Sequence, residues 1–142
     1  MVINQYVLCH LKSNKIIHDR QYGFRQYRST DDILTYFTHT WNKTLETGKE
    51  TPAVTLDISK ALDQVWYKNL LAKLPAFGFT PTHHKWIESF LANRSIKVVV
   101  DGMSSESFSI NAGVPQGSVI SPTLFLIYIN DLIGQTSNPT HC

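Results

Sequence analysis

Two cysteines, Cys9 and Cys142, are all that this 142-residue chain carries. A pair at opposite ends is too few for a disulfide framework, so a reducing, intracellular setting is expected. Neither Cys9-His10 nor His141-Cys142 has metal-site spacing, and both read as incidental. An excess of one charge is missing too. Thirteen Lys and Arg against eleven Asp and Glu leave a net charge of +2, so a polyanion would have to be held by locally placed cations. Long apolar runs are also absent. The longest, Leu124 to Ile129, is far short of the roughly 20 residues that span a bilayer, so no membrane protein is expected. Met1 to Lys15 has no basic segment followed by an apolar run, which argues against a secreted product. Internal repeats, low-complexity tracts and linkers are lacking as well. What remains, 42% hydrophobic and 17% charged positions, fits one globular domain with one core.

The opening segment places Tyr6, Val7, Leu8, Leu11, Ile16 and Ile17 without a start signal, as in a helix entered partway along. Ser29-Thr30-Asp31-Asp32 suits a helix cap, and Ile33, Leu34, Phe37, Trp41 and Leu45 follow as one apolar face ending near Gly48. Ala53 to Ile58, introduced by Pro52, reads as a short buried strand with an aspartate near its end. Helices are expected over about Asp63 to Leu74 and about Thr82 to Ala92, with Pro81 at a tolerated entry position. Ile96 to Val100, Asp101-Gly102 and Phe108 to Ile110 suggest a hairpin whose loop is lengthened by Ser104 to Ser107. Gly113-Val114-Pro115-Gln116-Gly117 is a turn-rich loop. Pro122 to about Ile133 is a helix apolar nearly all round, expected to be buried. The sum is a mixed α/β domain.

A carboxylate at the C-terminal edge of a buried strand is where a metal enzyme places a ligand, because the strand holds it rigidly beside an open loop. Asp57 meets that description, and it meets equally well the description of a cap for the next helix. Asp63 reads as stabilising a helix start or turn. Asp31-Asp32 sits in a first helical turn, where the dipole favours negative charge, and is rejected as catalytic. The two glycines around Pro115-Gln116 allow close ligand approach beside a side-chain amide, yet such turns most often only turn the chain. Arg25, Arg28, Lys60, Lys68, Lys73, Lys85, Arg94 and Lys97, interleaved with Tyr27, Trp66, Tyr67 and Trp86, could form a surface for phosphates and stacked bases. Most of them read as ordinary solvated positions. Arg25 and Arg28, flanking an aromatic in a glycine-led loop, stand out.

Three ordered motifs go further than composition and spacing. Gln21-Tyr22-Gly23-Phe24-Arg25-Gln26-Tyr27-Arg28-Ser29-Thr30, Leu56-Asp57-Ile58-Ser59-Lys60-Ala61-Leu62-Asp63 and Ala112-Gly113-Val114-Pro115-Gln116-Gly117-Ser118-Val119-Ile120-Ser121-Pro122 together resemble the reverse transcriptases of non-LTR retrotransposons, particularly jockey-like elements. Tyr128-Ile129-Asn130-Asp131-Leu132 continues the resemblance. It implies an α+β chain, an incomplete right-hand polymerase fold with part of the fingers over about 1–52 and part of an RRM/ferredoxin-like palm over about 53–142. It implies a polymerase adding deoxynucleotides to a primer 3′-end, with RNA template, DNA primer, deoxynucleoside triphosphates and two Mg2+ ions as partners. Asp57 and the Ile58 backbone carbonyl would be metal ligands. Leu62, Gln116 and Gly117 would lie at the nucleotide, and Arg25 and Arg28 on the template side. Position 62 departs from the family, which usually has an aromatic there to block a ribose 2′-hydroxyl. The family's aromatic-Ala-Asp-Asp motif, source of the other catalytic carboxylate, is absent from these residues, and a basic fingers segment is expected ahead of Met1. The chain alone is therefore expected to be inactive and poorly covered around Leu124, Phe125, Tyr128 and Leu132. A non-catalytic nucleic-acid-binding remnant is the alternative.

Overall fold

The computed structural model describes residues 2–135. Its core is helical. α1 (Val2–Ser13), α3 (Tyr67–Ala76), α4 (Pro81–Leu91) and α5 (Ser121–Gln135) enclose it. The chain reaches that core by burying Val7 and Leu11 of α1, Leu70 and Leu74 of α3, Ile87 and Leu91 of α4, and Leu124, Leu126 and Ile127 of α5. Each such side chain contributes about 1.5–3 kcal/mol when removed from water. α5 was expected to be uncovered at Leu124, but that side chain is fully buried, because α1 and α3 pack directly on α5. Phe125 and Tyr128 are half-buried, and Leu132 is exposed.

Polar contacts fix the helices in register. Thr123, itself buried, donates to Asn4 Oδ1 at 2.7 Å, joining α5 to α1. Asn130 works in both directions, accepting from the His18 backbone N–H at 3.0 Å and donating to the Ile16 carbonyl at 2.8 Å. Lys73 of α3 donates to the Tyr128 carbonyl and, at 2.5 Å, to Asp131 Oδ1. That hydrogen bond holds the Asp131 carboxyl below its ordinary value, and the nearby charge of Lys73 adds to it. The sign follows. A depressed carboxyl contributes stability that is fully present above the unfolded value, about pH 3.9. It is lost as pH falls through the lower folded value. Lys73→Met is accordingly expected to lower stability at pH 7 by about 1 kcal/mol or less, with the gap to the parent chain closing below about pH 4. Urea midpoints measured across that pH range check this.

α2 (Thr30–Glu46) forms where the cap was expected. The Ser29 hydroxyl accepts from the Asp32 N–H, and the Asp32 carboxylate accepts from the Ser29 N–H in return. Yet no residue of α2 is buried. Its apolar face, including Leu34, Phe37, Trp41 and Leu45, is open to solvent.

Three expectations are corrected. Ala53 to Ile58 forms no strand. Among the described residues it pairs with no neighbour, and Val54 and Leu56 are 86% and 88% exposed. A strand exists only where a partner satisfies its backbone groups, and apolar content cannot substitute for one. The helix expected from Asp63 starts later, because a 3-10 helix (Ala61–Gln64) and an extended Val65-Trp66 come first. The hairpin is tighter than expected. β1 (Arg94–Ile96) pairs antiparallel with β4 (Phe108–Ile110), and β2 (Val99–Val100) with β3 (Met103–Ser104). Asp101 and Gly102 take φ of 48° and 80° at its tip, matching a two-residue turn of the mirror-image type. Ser104 to Ser107 thus belongs to the returning arm, where the Ser105 hydroxyl accepts from the Val98 N–H at 2.9 Å.

The architecture is a mixed α/β fold of helices and small antiparallel ladders. Among the described residues no helix is long and apolar enough to cross a membrane.

Candidate functional site

The second and third motifs, some fifty residues apart in the chain, are joined into one unit. Gly113 N–H donates to the Val65 carbonyl and Val114 N–H to the Leu62 carbonyl, each at 2.9 Å. Trp66 bridges to Ala112. Gln116 Nε2 donates to Asp63 Oδ1, also at 2.9 Å. Gly113 has φ +81°, and a Cβ there would lie 2.7 Å from the Asp63 carbonyl oxygen. Only glycine lets the two backbones meet this closely. Gly117 has the same φ with open space around it, so it serves the turn alone.

A second layer supports the loop from behind. The Tyr67 hydroxyl contacts the carbonyls of Ala112 and Gly113 at 2.9 and 2.8 Å. Arg94 donates to that hydroxyl at 3.0 Å and to the Gly113 carbonyl at 2.8 Å. Ser121, buried at the start of α5, donates to the Pro115 carbonyl at 2.7 Å. The loop is therefore held at Gly113, Pro115 and Gln116, while Gln116 and Gly117 stay exposed on its outer side.

Of the residues singled out in the sequence, Leu62, Gln116 and Gly117 are gathered here. Leu62 is half-buried, with its side chain packed on the core. Asp57 and Ile58 lie in the exposed segment leading to this unit. Asp57 makes no hydrogen bond or ion pair among the described residues. Between Ile58 and Leu62, Lys60 takes a left-handed φ of 51°, which costs a non-glycine residue about 1–2 kcal/mol. Backbone strain of this kind concentrates where a chain is held for function.

Arg25 and Arg28 belong to a different part of the surface. Arg25 is half-buried and donates to the carbonyls of His18 and Gln21 at 3.0 and 3.3 Å, bracing its own turn. The Arg28 guanidinium lies 4.9 Å from the centre of the Tyr22 ring, and Lys12 Nζ lies 5.7 Å from that of Tyr27. Phe24 and Tyr27 both have positive φ, and Phe24 meets Phe125 of α5 edge-on at 6.2 Å. A cleft of about 520 Å³ opens here, with Lys12, Lys15, Arg25 and Tyr27 in its lining above a floor that includes Leu11 and Leu126.

Asp63, Tyr67, Arg94 and Ser121 are contributors that spacing did not reveal. Tyr67 and Arg94 were visible only as members of a general basic and aromatic set, and their contacts are too distant in sequence for any local pattern to signal. Asp63, read as a helix or turn stabiliser, spends its carboxylate on Gln116. Lys73, also placed in the general set, is an inter-helix clamp.

The metal expectation can be set against this donor set. Magnesium requires near-octahedral oxygen ligands and commonly takes carboxylates plus substrate phosphates. Among the described residues no group of three or more His, Cys, Asp or Glu side chains gathers, and Asp63 is engaged by an amide. The described residues alone do not complete such a site.

The profile of the family described as reverse transcriptase (RNA-dependent DNA polymerase) matches residues 2–142. The chain belongs to that family. This reverse transcriptase chain is 34% identical over 141 residues to the RNA-directed DNA polymerase from mobile element jockey of Drosophila melanogaster, covering 99% of the chain and 14% of the relative. It is 33% identical over 137 residues to the jockey polymerase of Drosophila funebris, covering 96% of the chain and 15% of the relative. Over 86 residues, 61% of the chain, it is 35% identical to a Pol polyprotein from the type-1 retrotransposable element R2 of Popillia japonica, covering 14% of it. The reverse transcriptase chain thus spans about one-seventh of the length of these curated relatives. It is of the jockey-like, non-LTR retrotransposon type. No solved structure matches it significantly.

Proposed function

We propose that this chain is a fingers and palm portion of an RNA-directed DNA polymerase, with about 1–52 in the fingers and about 53–142 in the palm. Its parent activity is template-directed addition of deoxynucleotides to a primer 3′-end. The observation that carries this reading is the joining of the Asp57–Asp63 segment to the Gly113–Gly117 loop. It brings an exposed glutamine and an open glycine turn against Leu62 and Asp63, five and six residues on from Asp57, which supports a nucleotide seat near that carboxylate. In this reading Asp57 and the Ile58 carbonyl offer oxygen ligands to a divalent ion that draws its remaining ligands from elsewhere. Gln116 and Gly117 face the nucleotide side, and Leu62, whose side chain packs on the core, belongs to that side through its backbone bond to Val114. Arg25 and Arg28 lie toward the template.

A chimera tests it. The matching segment of the Drosophila melanogaster jockey polymerase is replaced by this chain, and primer extension on an RNA template is followed with magnesium present. Extension is expected, falling to background in Asp57→Asn, and the 142-residue chain alone is expected to give none. A folded chimera that cannot extend, or one indifferent to Asp57→Asn, overturns the reading. The cations set over aromatic rings at residues 12–28 favour a second one, binding without chemistry. Salt-dependent binding of an RNA–DNA hybrid, unchanged by Asp57→Asn and accompanied by an inactive chimera, would select it.

A further inference from the structure

Asp63 is the point on which the two motifs converge. The absent Cβ of Gly113 leaves room for its backbone, the neighbouring Leu62 carbonyl takes the Val114 N–H, and its carboxylate takes the Gln116 amide. An aspartate within a one-turn helix would ordinarily accept a nearby backbone N–H. Among the described residues none donates to this carboxylate, and its hydrogen-bond partner is a side chain 53 positions away.

That choice of partner has a chemical consequence. A glutamine amide presents a donor at one end and an acceptor at the other, and a free one offers either by rotating. An ionised carboxylate accepts only, so it binds Nε2 and repels Oε1. We infer that Asp63 is a positioning residue that fixes the orientation of Gln116, leaving Oε1 as the acceptor presented to a donor group on an incoming nucleotide. This rests on the nucleotide-site reading above. It assigns to Asp63 an action through Gln116 and no contact with a metal or substrate.

The test uses the full 142-residue chain with dTTP as the probe. Fluorescence of Trp66, which is exposed and bridged to Ala112, reports binding, and the NMR signals of the Gln116 side-chain NH2 report the contact itself. Asp63→Ala removes the acceptor and is expected to move those signals to free-amide positions and weaken dTTP binding roughly tenfold. Asp63→Asn keeps an acceptor oxygen but adds an NH2 that can meet Oε1, so it can hold Gln116 in either orientation and is expected to weaken binding by roughly threefold, between the parent chain and Asp63→Ala. Gln116→Ala should match Asp63→Ala, and the double variant should lose nothing further. A purely structural role would instead lower the melting temperature of Asp63→Ala and leave the dTTP affinity of the folded variant unchanged. The inference is overturned if Asp63→Ala binds as the parent does, or if Asp63→Asn binds as tightly as the parent, since an acceptor-only partner would then not be what orients Gln116. A parent chain indifferent to dTTP overturns the nucleotide-site reading and this role with it, whatever the amide signals show.

Discussion

Gly113→Ala is expected to destabilise the chain by about 2–5 kcal/mol, while Gly117→Ala costs about 1–2 kcal/mol. Both glycines have φ +81°, so a side chain at either meets the same left-handed penalty of about 1–2 kcal/mol. They differ in what surrounds the new methyl. At Gly117 it enters open space. At Gly113 it would sit 2.7 Å from the Asp63 carbonyl oxygen and 2.8 Å from its Cα. Both are backbone atoms, so no rotamer change relieves the contact, and forcing backbones apart adds about 1–3 kcal/mol. Separation would also stretch the bonds from Gly113 to Val65, Val114 to Leu62 and Gln116 to Asp63. Against a total stability of about 5–15 kcal/mol for a natural domain, the larger loss is a substantial share. Equilibrium urea unfolding of the two variants checks it, and equal losses would show that the close approach to Asp63 is not what glycine serves at position 113.

The same loop shows how far the sequence could be read. Glycines around Pro115-Gln116 announced a turn, and the three ordered motifs announced the family. The face against which the loop packs was hidden, because hydrogen bonds from Gly113 to Val65 and from Arg94 to Gly113 join residues with no shared periodicity. Local rules did well where local physics decides. The Ser29 cap, the Asp101-Gly102 turn and the starts of α4 and α5 came out close to expectation, since each depends on a few neighbouring residues. They failed where pairing decides. Ala53 to Ile58 has strand composition, but pattern alone cannot supply a partner strand. The α2 face has helix periodicity, and periodicity identifies an apolar side without saying what covers it. For the site, Leu62, Gln116 and Gly117 were gathered as a group, whereas Asp63 was assigned a local role that its long-range bond overrides.

A buried leucine of the core should respond very differently from an exposed aromatic on α2. Leu124→Ala is expected to cost about 2–5 kcal/mol, because Leu124 is fully buried in the cluster where α1, α3 and α5 meet. Removing it leaves a cavity that packed helices fill only partly. Trp41→Ala removes a larger side chain but is expected to cost under about 1 kcal/mol, chiefly its stacking on Phe37 at 5.5 Å. Trp41 is 40% exposed on a helix that buries nothing. The ordering inverts what residue size alone implies, since burial and not volume sets the loss. Among the described residues thirteen hydrophobics are buried while twenty-four large ones are exposed, so the cohesion of the chain is concentrated in few positions. Solubility should move in the opposite sense: Trp41→Ser, which thins the open α2 face, is expected to reduce self-association at equal stability. Thermal unfolding with light scattering on the three variants separates the two effects. A Trp41→Ala loss as large as that of Leu124→Ala would mean that α2 is packed in solution, and that its apolar face already has a partner.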